Sequence, residues 1–544
     1  MSTSMEIYDY IIVGAGSAGC VVARELSSNP ENKVLLLEVG PDSDRFWVHT
    51  PAGMAKLFFD KELNWNYFTE PMPALRGRKM YWPRGKGLGG SSSINGMIYI
   101  RGHPYDFDNW EKLGNPGWRY DDVLPYFKAI EHNERGADAY RGAEGPLWVS
   151  DPAVKVSSSF DFIESACRHG IEKTDDINGK VHDGVGFMQH TIRDGRRQSA
   201  YFAFLQPVMN RPNLTVRTGC RVHRLLLANG EATGVEIECE GTKYTIVAAK
   251  EVILSAGSLN SPQLLMLSGL GPAEELQCHG ISTVLDLPGV GKNLQDHFYV
   301  HTAYRSTGSS SYNSKIRGMW KYLEGARYLL TKGGYLALGT SQVAAFIKSS
   351  PDVDYADLQI SFRPMTFNFH PNGHVEVDRD PGIGVSVFIL RPKTTGSVTL
   401  HSANPAQAPK LTPNFLTDDE DIRAMISGVK QIRQIMALKP IASRVLSEQL
   451  PGPHIQSDEQ LFDFMAETGN TASHQTSTCK MGRDSMSVVD ERLRVRGIKR
   501  LRVVDASVMP HVTSGNTNAP TLMIAAKGAA MIMEDALARR PISA

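Results

Sequence analysis

No stretch of about 18 consecutive apolar residues occurs in this 544-residue chain, so a membrane-spanning helix is not expected. Net charge is also absent: 58 Lys and Arg balance 58 Asp and Glu. That removes any bulk attraction to nucleic acid or to an anionic membrane. Cysteine is sparse. The six (Cys20, Cys167, Cys220, Cys239, Cys278 and Cys479) are scattered and form no CxxC, so free thiols in a reduced, cytoplasmic setting are expected. Cys20 falls inside a first helix, where a packed, inert thiol is expected. His, Cys and carboxylate clusters at ligand spacing are missing too, and no metal site is expected. The start, Met1 to Tyr10, has neither a basic n-region nor an apolar h-region, and a strand beginning near Tyr8 leaves no room for a cleavable signal. No repeat or low-complexity segment is evident. What remains is an ordinary globular composition, 41% hydrophobic and 21% charged, at a length that makes two or more domains the expectation.

The most informative segment lies between residues 9 and 38. The apolar run Tyr10 to Val13 enters a turn with glycines at 14, 16 and 19, followed by the helix-compatible stretch Ala18 to Leu26 and a second apolar run, Val34 to Leu37, that ends in Glu38. The pattern predicts strand, glycine turn, helix, strand. Gly14 permits the tight turn, Gly16 lets the backbone approach a pyrophosphate, and Gly19 lets the helix pack close to the strand. The helix N-terminus offers free N–H groups to phosphates, and Glu38 can accept hydrogen bonds from a ribose. The motif alone leaves NAD and FAD both open.

Further along, residues 41 to 80 lack periodicity but are rich in aromatics (Phe46, Trp47, Phe58, Phe59, Trp65, Tyr67, Phe68), which suggests an excursion over a surface or cleft. Residues 105 to 133 read as helical, with Pro125 opening a helix at Tyr126. Leu214 to Val216, Arg221 to Leu227, Gly234 to Glu238 and Tyr244 to Val247 alternate like strands, with turns at Ala228-Asn229-Gly230 and Glu240-Gly241. Glu251 to Ser255 reads as a further short strand, and residues 261 to 269 as a helix with Pro262 in its first turn. Strand-like runs fill 340 to 400. Ile422, Met425, Ile426, Val429, Ile432 and Ile435 mark one face of a helix over 419 to 438. Val503 to Asp505 is strand-like, and Ala519 to Ala536 a final helix. Mononucleotide-fold elements thus flank a strand-rich stretch, which suggests two interleaved domains.

Several separated blocks carry a resemblance. Gly85-Lys86-Gly87-Leu88-Gly89-Gly90-Ser91-Ser92-Ser93-Ile94-Asn95 resembles the first signature of the glucose–methanol–choline (GMC) oxidoreductase family, and the run from Gly257 to Gly271 its second. The run from Asp286 to His297, the pair Ser473-His474 and the run from Gly515 to Thr521 resemble the blocks that follow. The resemblance spans residues 7 to about 535, and within the family the chain looks most like choline-dehydrogenase-like bacterial alcohol dehydrogenases.

The resemblance implies an α/β fold: a Rossmann-like FAD-binding domain (1–155, 196–305 and 481–544) interleaved with an α+β substrate domain built on an antiparallel sheet (156–195 and 306–480). It implies FAD with its ADP half on Gly14, Gly16, Ser17, Ala18, Gly19 and Glu38, and with Gly89, Gly90, Ser91, Asn95, Gly96 and Met97 along the pyrophosphate and isoalloxazine. Val222 matches a backbone contact to adenine and Trp65 an aromatic position near the cofactor. Asp505 and Ala506 match the strand end that reaches the ribityl chain and pyrophosphate, and Ala256 and Thr517 complete the expected cofactor set. Some members attach the flavin through a histidine within the first signature. Ile94 stands there instead, so non-covalent FAD is expected.

The implied chemistry is oxidation of an alcohol, with hydride passing to flavin N5. His474 matches the family's active-site histidine and carries the base role. Asn518 matches the second position of the pair; an amide cannot take a proton, so it can only orient the substrate oxygen. His297 and His511 read as structural. The family's usual proline after the histidine and aromatic before it are replaced in Ala472-Ser473-His474-Gln475, which alters the wall beside the base and widens it at Ala472. The aromatic stretches 46 to 68 and 362 to 369, including Phe362, Phe367 and Phe369, are expected to line the entrance and to favour an apolar or aromatic primary alcohol. A choline or sugar alcohol, a hydroxynitrile-lyase-like role with a non-redox flavin, and an NAD-dependent reductase are the alternatives. A quinone-type acceptor or O2 would reoxidise the flavin. A homo-oligomer and a peripheral membrane association stay open.

Overall fold

A computed structural model describes residues 6–369 and 375–538. Its first large sheet runs in the order Leu214–Arg217, Val34–Leu37, Glu6–Val13, Thr242–Leu254, Glu231–Cys239, Cys220–Ala228, with Leu501–Val503 also paired to Thr242–Leu254. The strands around Glu6–Val13 are parallel, and the far hairpin is antiparallel. The register matters most. Val13 lies opposite both Leu37 and Leu254, and Leu254 opposite Val503. Gly14, Glu38, Ser255 and Val504 therefore leave the sheet at one level, along the carboxyl ends of its parallel strands, where open α/β sheets bind ligands.

The helix Ser17–Leu26 buries Ala18 to Ala23 and Leu26 and shares one core with Leu522, Ile524 and Ala525 of the terminal helix Asn518–Ala538. Each fully buried Val or Leu there contributes about 1.5–3 kcal/mol.

The second large sheet is antiparallel, in the order Val445–Leu450, Phe298–Ser306, Gly382–Ile389, Leu358–Arg363, Val343–Ile347, Gly184–Phe187; Asn470–Thr471 adds to Phe298–Ser306. Successive side chains of a strand point to opposite faces. Leu358, Ile360 and Phe362, with Val385 and Val387, enter the core under the helix Asp419–Met436. Gln359, Ser361 and Arg363, with Ser386 and Phe388, face a large cavity instead. The fold is thus mixed α/β, with the antiparallel sheet roofing the cavity and the parallel sheet beneath it.

Four readings change. Pro125 lies inside the helix Tyr120–Ile130 rather than at its start, because Asp122 accepts a hydrogen bond from the Arg119 N–H and begins the helix earlier. Pro262 likewise sits within Gly257–Leu267. Tyr244–Val247 and Glu251–Ser255 merge into the single strand Thr242–Leu254, since no turn residue separates them. The hairpin register sets Cys220 opposite Cys239, and the two form a disulfide where free thiols were expected. Cys20, Cys167, Cys278 and Cys479 are free.

Candidate active site

One cavity of about 1260 Å³ runs from the first glycine turn to His474. At the glycine end, Gly14 has φ +99°, and a methyl group there would lie 2.6 Å from the Ser255 carbonyl oxygen. A methyl on Gly19 would lie 1.9 Å from the Gly14 carbonyl oxygen, whereas one on Gly16 meets nothing nearer than 3.9 Å. The second glycine block sits on this turn: Gly89 N–H donates to Ala15 O at 2.7 Å, and a methyl on Gly90 would reach within 2.7 Å of Gly16 Cα. Gly19 and Gly89 stand behind the surface, while Gly14, Gly16, Ser17, Ala18 and Gly90 line it.

Glu38 has a role that its place in the motif does not reveal. Its Oε2 accepts from Ala15 N–H at 2.9 Å, and its Oε1 from Gly40 and Gly87 N–H at 2.8 and 3.0 Å. Burial pushes its pKa up and these three donors pull it down. The carboxylate locks both glycine turns together and keeps one of about four acceptor sites for a ligand hydroxyl. Asp505 uses all of its sites: Oδ2 accepts from Gly257 N–H and Ser261 Oγ, and Oδ1 from the N–H and Oγ of Ser507. It fixes the turn at Ala256 and Gly257 and has no site left over for a ligand. Trp65, Ser91, Asn95, Gly96, Met97, Val222, Ala256, Ala506 and Thr517 all line the cavity.

At the other end, Ser473, with φ +62°, turns the chain into His474. Asp296 holds that turn, accepting from His474 N–H at 2.7 Å and Gln475 Nε2 at 2.8 Å and from Thr471 Oγ1. Burial pushes Asp296 up to about 6. Hydrogen bonds then assign the tautomer of His474. Leu390 O can only accept, so His297 Nε2, 3.1 Å away, carries the proton. Burial pushes His297 down to about 4, so it is neutral, and its Nδ1 must accept from His474 Nδ1 at 2.9 Å. His474 Nε2 is left with its lone pair, 2.9 Å from Asn516 Nδ2.

Burial first, then His297 and the Arg84 guanidinium, hold His474 well below the usual imidazole range. A base with a lowered pKa stays unprotonated until pH falls through that lowered value. Alcohol-driven flavin reduction is therefore expected to show no inflection from His474 at the ordinary imidazole value near 6.5. Single-turnover rates against pH check this; an inflection near 6.5 would mean a hydrated imidazole.

Several expectations need correction. Asn518 does not meet His474: it opens the terminal helix, and its Oδ1 accepts from Ser17 Oγ at 2.8 Å. Asn516, two residues earlier in the loop, takes the place beside the imidazole. His297, read as structural, contacts His474 directly; its position in the Gln-Asp-His run of a family block was the available signal. Phe362 is fully buried and stacks on Phe162 with centroids 4.6 Å apart, so it lines the core and not the cavity. Phe367 does line the cavity, as do Phe58, Phe59, Trp65 and Phe68, while Phe46 and Trp47 are exposed elsewhere. The Phe369 side chain lies outside the described residues, as do Met1 to Met5. Among the described residues no cluster of three or more His, Cys, Asp or Glu could hold a metal ion, and no helix is long and apolar enough to cross a membrane.

A glycine-cradled dinucleotide trough on a parallel sheet, opening onto a half-buried neutral imidazole, defines a nucleotide-dependent oxidoreductase. The chain belongs to the GMC oxidoreductase family: the family's N-terminal model matches residues 8–299 and its C-terminal model residues 392–525. It is an FAD-dependent enzyme acting on CH–OH groups. It is 42% identical over 527 residues to an oxygen-dependent choline dehydrogenase of Sinorhizobium fredii, covering 96% of this chain and 95% of that protein. It is 41% identical over 531 residues to an alcohol dehydrogenase [acceptor] of Pseudomonas putida, covering 97% and 96%. Among solved structures, pyridoxine 4-oxidase from Mesorbium loti superposes with a TM-score of 0.88 at 30% identity, covering 97% and 99%.

Proposed function

We propose that this protein oxidises an apolar or aromatic primary alcohol to the aldehyde, with His474 Nε2 as the base. The observation that carries the reading is the lone pair on that nitrogen, assigned by the run of hydrogen bonds from Leu390 through His297 and met by the Asn516 amide. A substrate hydroxyl placed between His474 and Asn516 replaces their mutual contact. It donates its proton to Nε2 and accepts from the Asn516 amide, which stabilises the charge developing on oxygen. When bound, FAD supplies the hydride acceptor. The two glycine turns fit its pyrophosphate, since only a hydrogen at Gly16 leaves the backbone bare to the cavity. Glu38 offers its remaining acceptor site to a ribose hydroxyl. Ile94, at the cavity wall, has no atom able to bond a flavin, which supports non-covalent attachment.

Anaerobic addition of benzyl alcohol to the purified flavoprotein tests this reading. Bleaching of the flavin band with formation of aldehyde is the expected result. No bleaching by any alcohol overturns it, and cleavage of a cyanohydrin without bleaching would favour a lyase.

The acceptor reading, a membrane quinone with peripheral attachment, draws on the helix Trp320–Thr331. Met319, Trp320, Tyr322, Leu323, Leu329 and Leu330 expose large apolar surfaces there, Leu330 being 86% exposed. Lys321 lies among them and Lys332 follows them, as expected of a helix lying in a lipid interface. The holoprotein is expected to sediment with vesicles containing anionic lipid, and Leu330→Glu to lower the bound fraction. Wild-type protein that stays in the supernatant overturns the attachment.

A further inference from the structure

The substrate end of the cavity holds a cation with no acid beside it. Arg363 closes the strand Leu358–Arg363 on the cavity face. Its guanidinium lies 4.7 Å from the Phe367 ring centroid, and its Nη2 is 3.4 Å from Ser386 Oγ. Its Nε is buried without an acceptor. Among the described residues no carboxylate pairs with it. Among the described residues the only carboxylates lining the cavity are Glu38 and Asp505, both at the glycine end, Glu38 engaged with N–H donors and Asp505 with N–H and O–H donors. The other groups facing Arg363 do not neutralise it. Burial raises Tyr299 and Tyr312, which stay protonated, and burial pushes His301 down to about 3, so it is neutral too. An unpaired charge in such surroundings is unfavourable unless a ligand completes it.

Position ties this cation to the chemistry. Tyr299, whose hydroxyl feels the Arg363 charge, is paired to Asn470, just ahead of His474. Among the described residues the same face of the roof presents Ser361, Ser386 and Phe388 and no second cation, while Arg84, which also lines the cavity near His474, has its Nε and Nη2 on the Pro83 and Ser473 carbonyl oxygens. A single planar fork suits a monoanion with two coplanar oxygens.

We propose that the physiological substrate is an alcohol bearing a carboxylate, its hydroxyl at His474 and its carboxylate on the Arg363 guanidinium with Ser386 beside it. This rests on the alcohol-oxidation reading and narrows it: a quaternary ammonium alcohol would meet Arg363 as a like charge, and the aromatic lining would pack the body of a hydroxy acid instead.

The test uses the holoenzyme under anaerobic conditions with three alcohols: 4-(hydroxymethyl)benzoate, benzyl alcohol and choline. A fourth arm measures binding of benzoate and benzamide through the shift of the flavin spectrum. 4-(Hydroxymethyl)benzoate is expected to reduce the flavin roughly 10- to 100-fold more efficiently than benzyl alcohol, with choline the poorest. Benzoate is expected to bind more tightly than benzamide. Arg363→Met should collapse both preferences, and Arg363→Lys, with normal flavin content, should keep part of each. 4-(Hydroxymethyl)phenyl phosphate, added as a further arm, would overturn the monoanion assignment if it outperformed the carboxylate. Benzyl alcohol or choline matching the carboxylate, benzoate binding no better than benzamide, or a preference unmoved in Arg363→Met would overturn the anion site itself. If no alcohol of any charge bleaches the flavin, it is the underlying alcohol-oxidation reading that fails.

Discussion

Replacing His474 with alanine is expected to give a folded, yellow protein whose flavin is no longer bleached by alcohol, with the reduction rate lower by about 10²–10⁴-fold. The imidazole touches none of the glycine turns: its ring nitrogens meet His297 and Asn516, and the residue's third partner is Asp296. The Asp296 contact is to its backbone N–H and survives the substitution. Flavin content should therefore match wild type while single-turnover reduction collapses. His474→Gln would place an amide where the lone pair was and should not restore the rate, because an amide takes no proton. Reduction within a few-fold of wild type in His474→Ala would remove the residue from the mechanism.

Gly19→Ala is expected to cost at least about 3 kcal/mol of stability and to yield little soluble holoprotein. Its methyl would stand 1.9 Å from the Gly14 carbonyl oxygen, and that carbonyl belongs to a turn pinned by Leu37 O and the Glu38 network. Neither the helix nor the turn can retreat without breaking the core they share. Gly16→Ala makes the contrast. There the nearest atom to the added methyl is 3.9 Å away, so the chain should fold with near-normal thermal stability but retain little FAD, because the methyl projects where the pyrophosphate backbone contact belongs. The ratio of flavin absorbance to protein absorbance, together with thermal unfolding of each variant, separates the two outcomes. A yellow, stable Gly19→Ala protein would show that the close packing of this helix is dispensable.

The two glycine turns were legible in the sequence because each of their requirements is local. A positive φ, a missing methyl and a carboxylate at the next strand end are properties of single residues at fixed spacing. The choice between Asn516 and Asn518 was not local. Both stand in one short block, but a helix beginning at Asn518 turns that side chain back toward Ser17, and the loop before it leaves Asn516 facing the imidazole. Phe362 and Arg363 illustrate the same point on a strand. Adjacent residues take opposite faces, and the phase is fixed only once the helix Asp419–Met436 covers one face of the sheet. An aromatic ring was expected at the cavity where the structure puts a cation.

The sequence by itself determined that the chain binds a dinucleotide, because the first glycine turn has its own stereochemistry; that the dinucleotide is FAD, and that His474 stands at the far end from the pyrophosphate, followed from the resemblance of several separated blocks to the GMC family. Tertiary structure alone decided what surrounds that histidine. His297 reaches it from 177 residues away and fixes its tautomer, Asn516 and not Asn518 faces its lone pair, and Arg363 brings an unmatched positive charge to the substrate's end of the cavity. The physical reason is that a side chain's direction depends on strand register, helix start and sheet coverage, which arise only when distant segments pack.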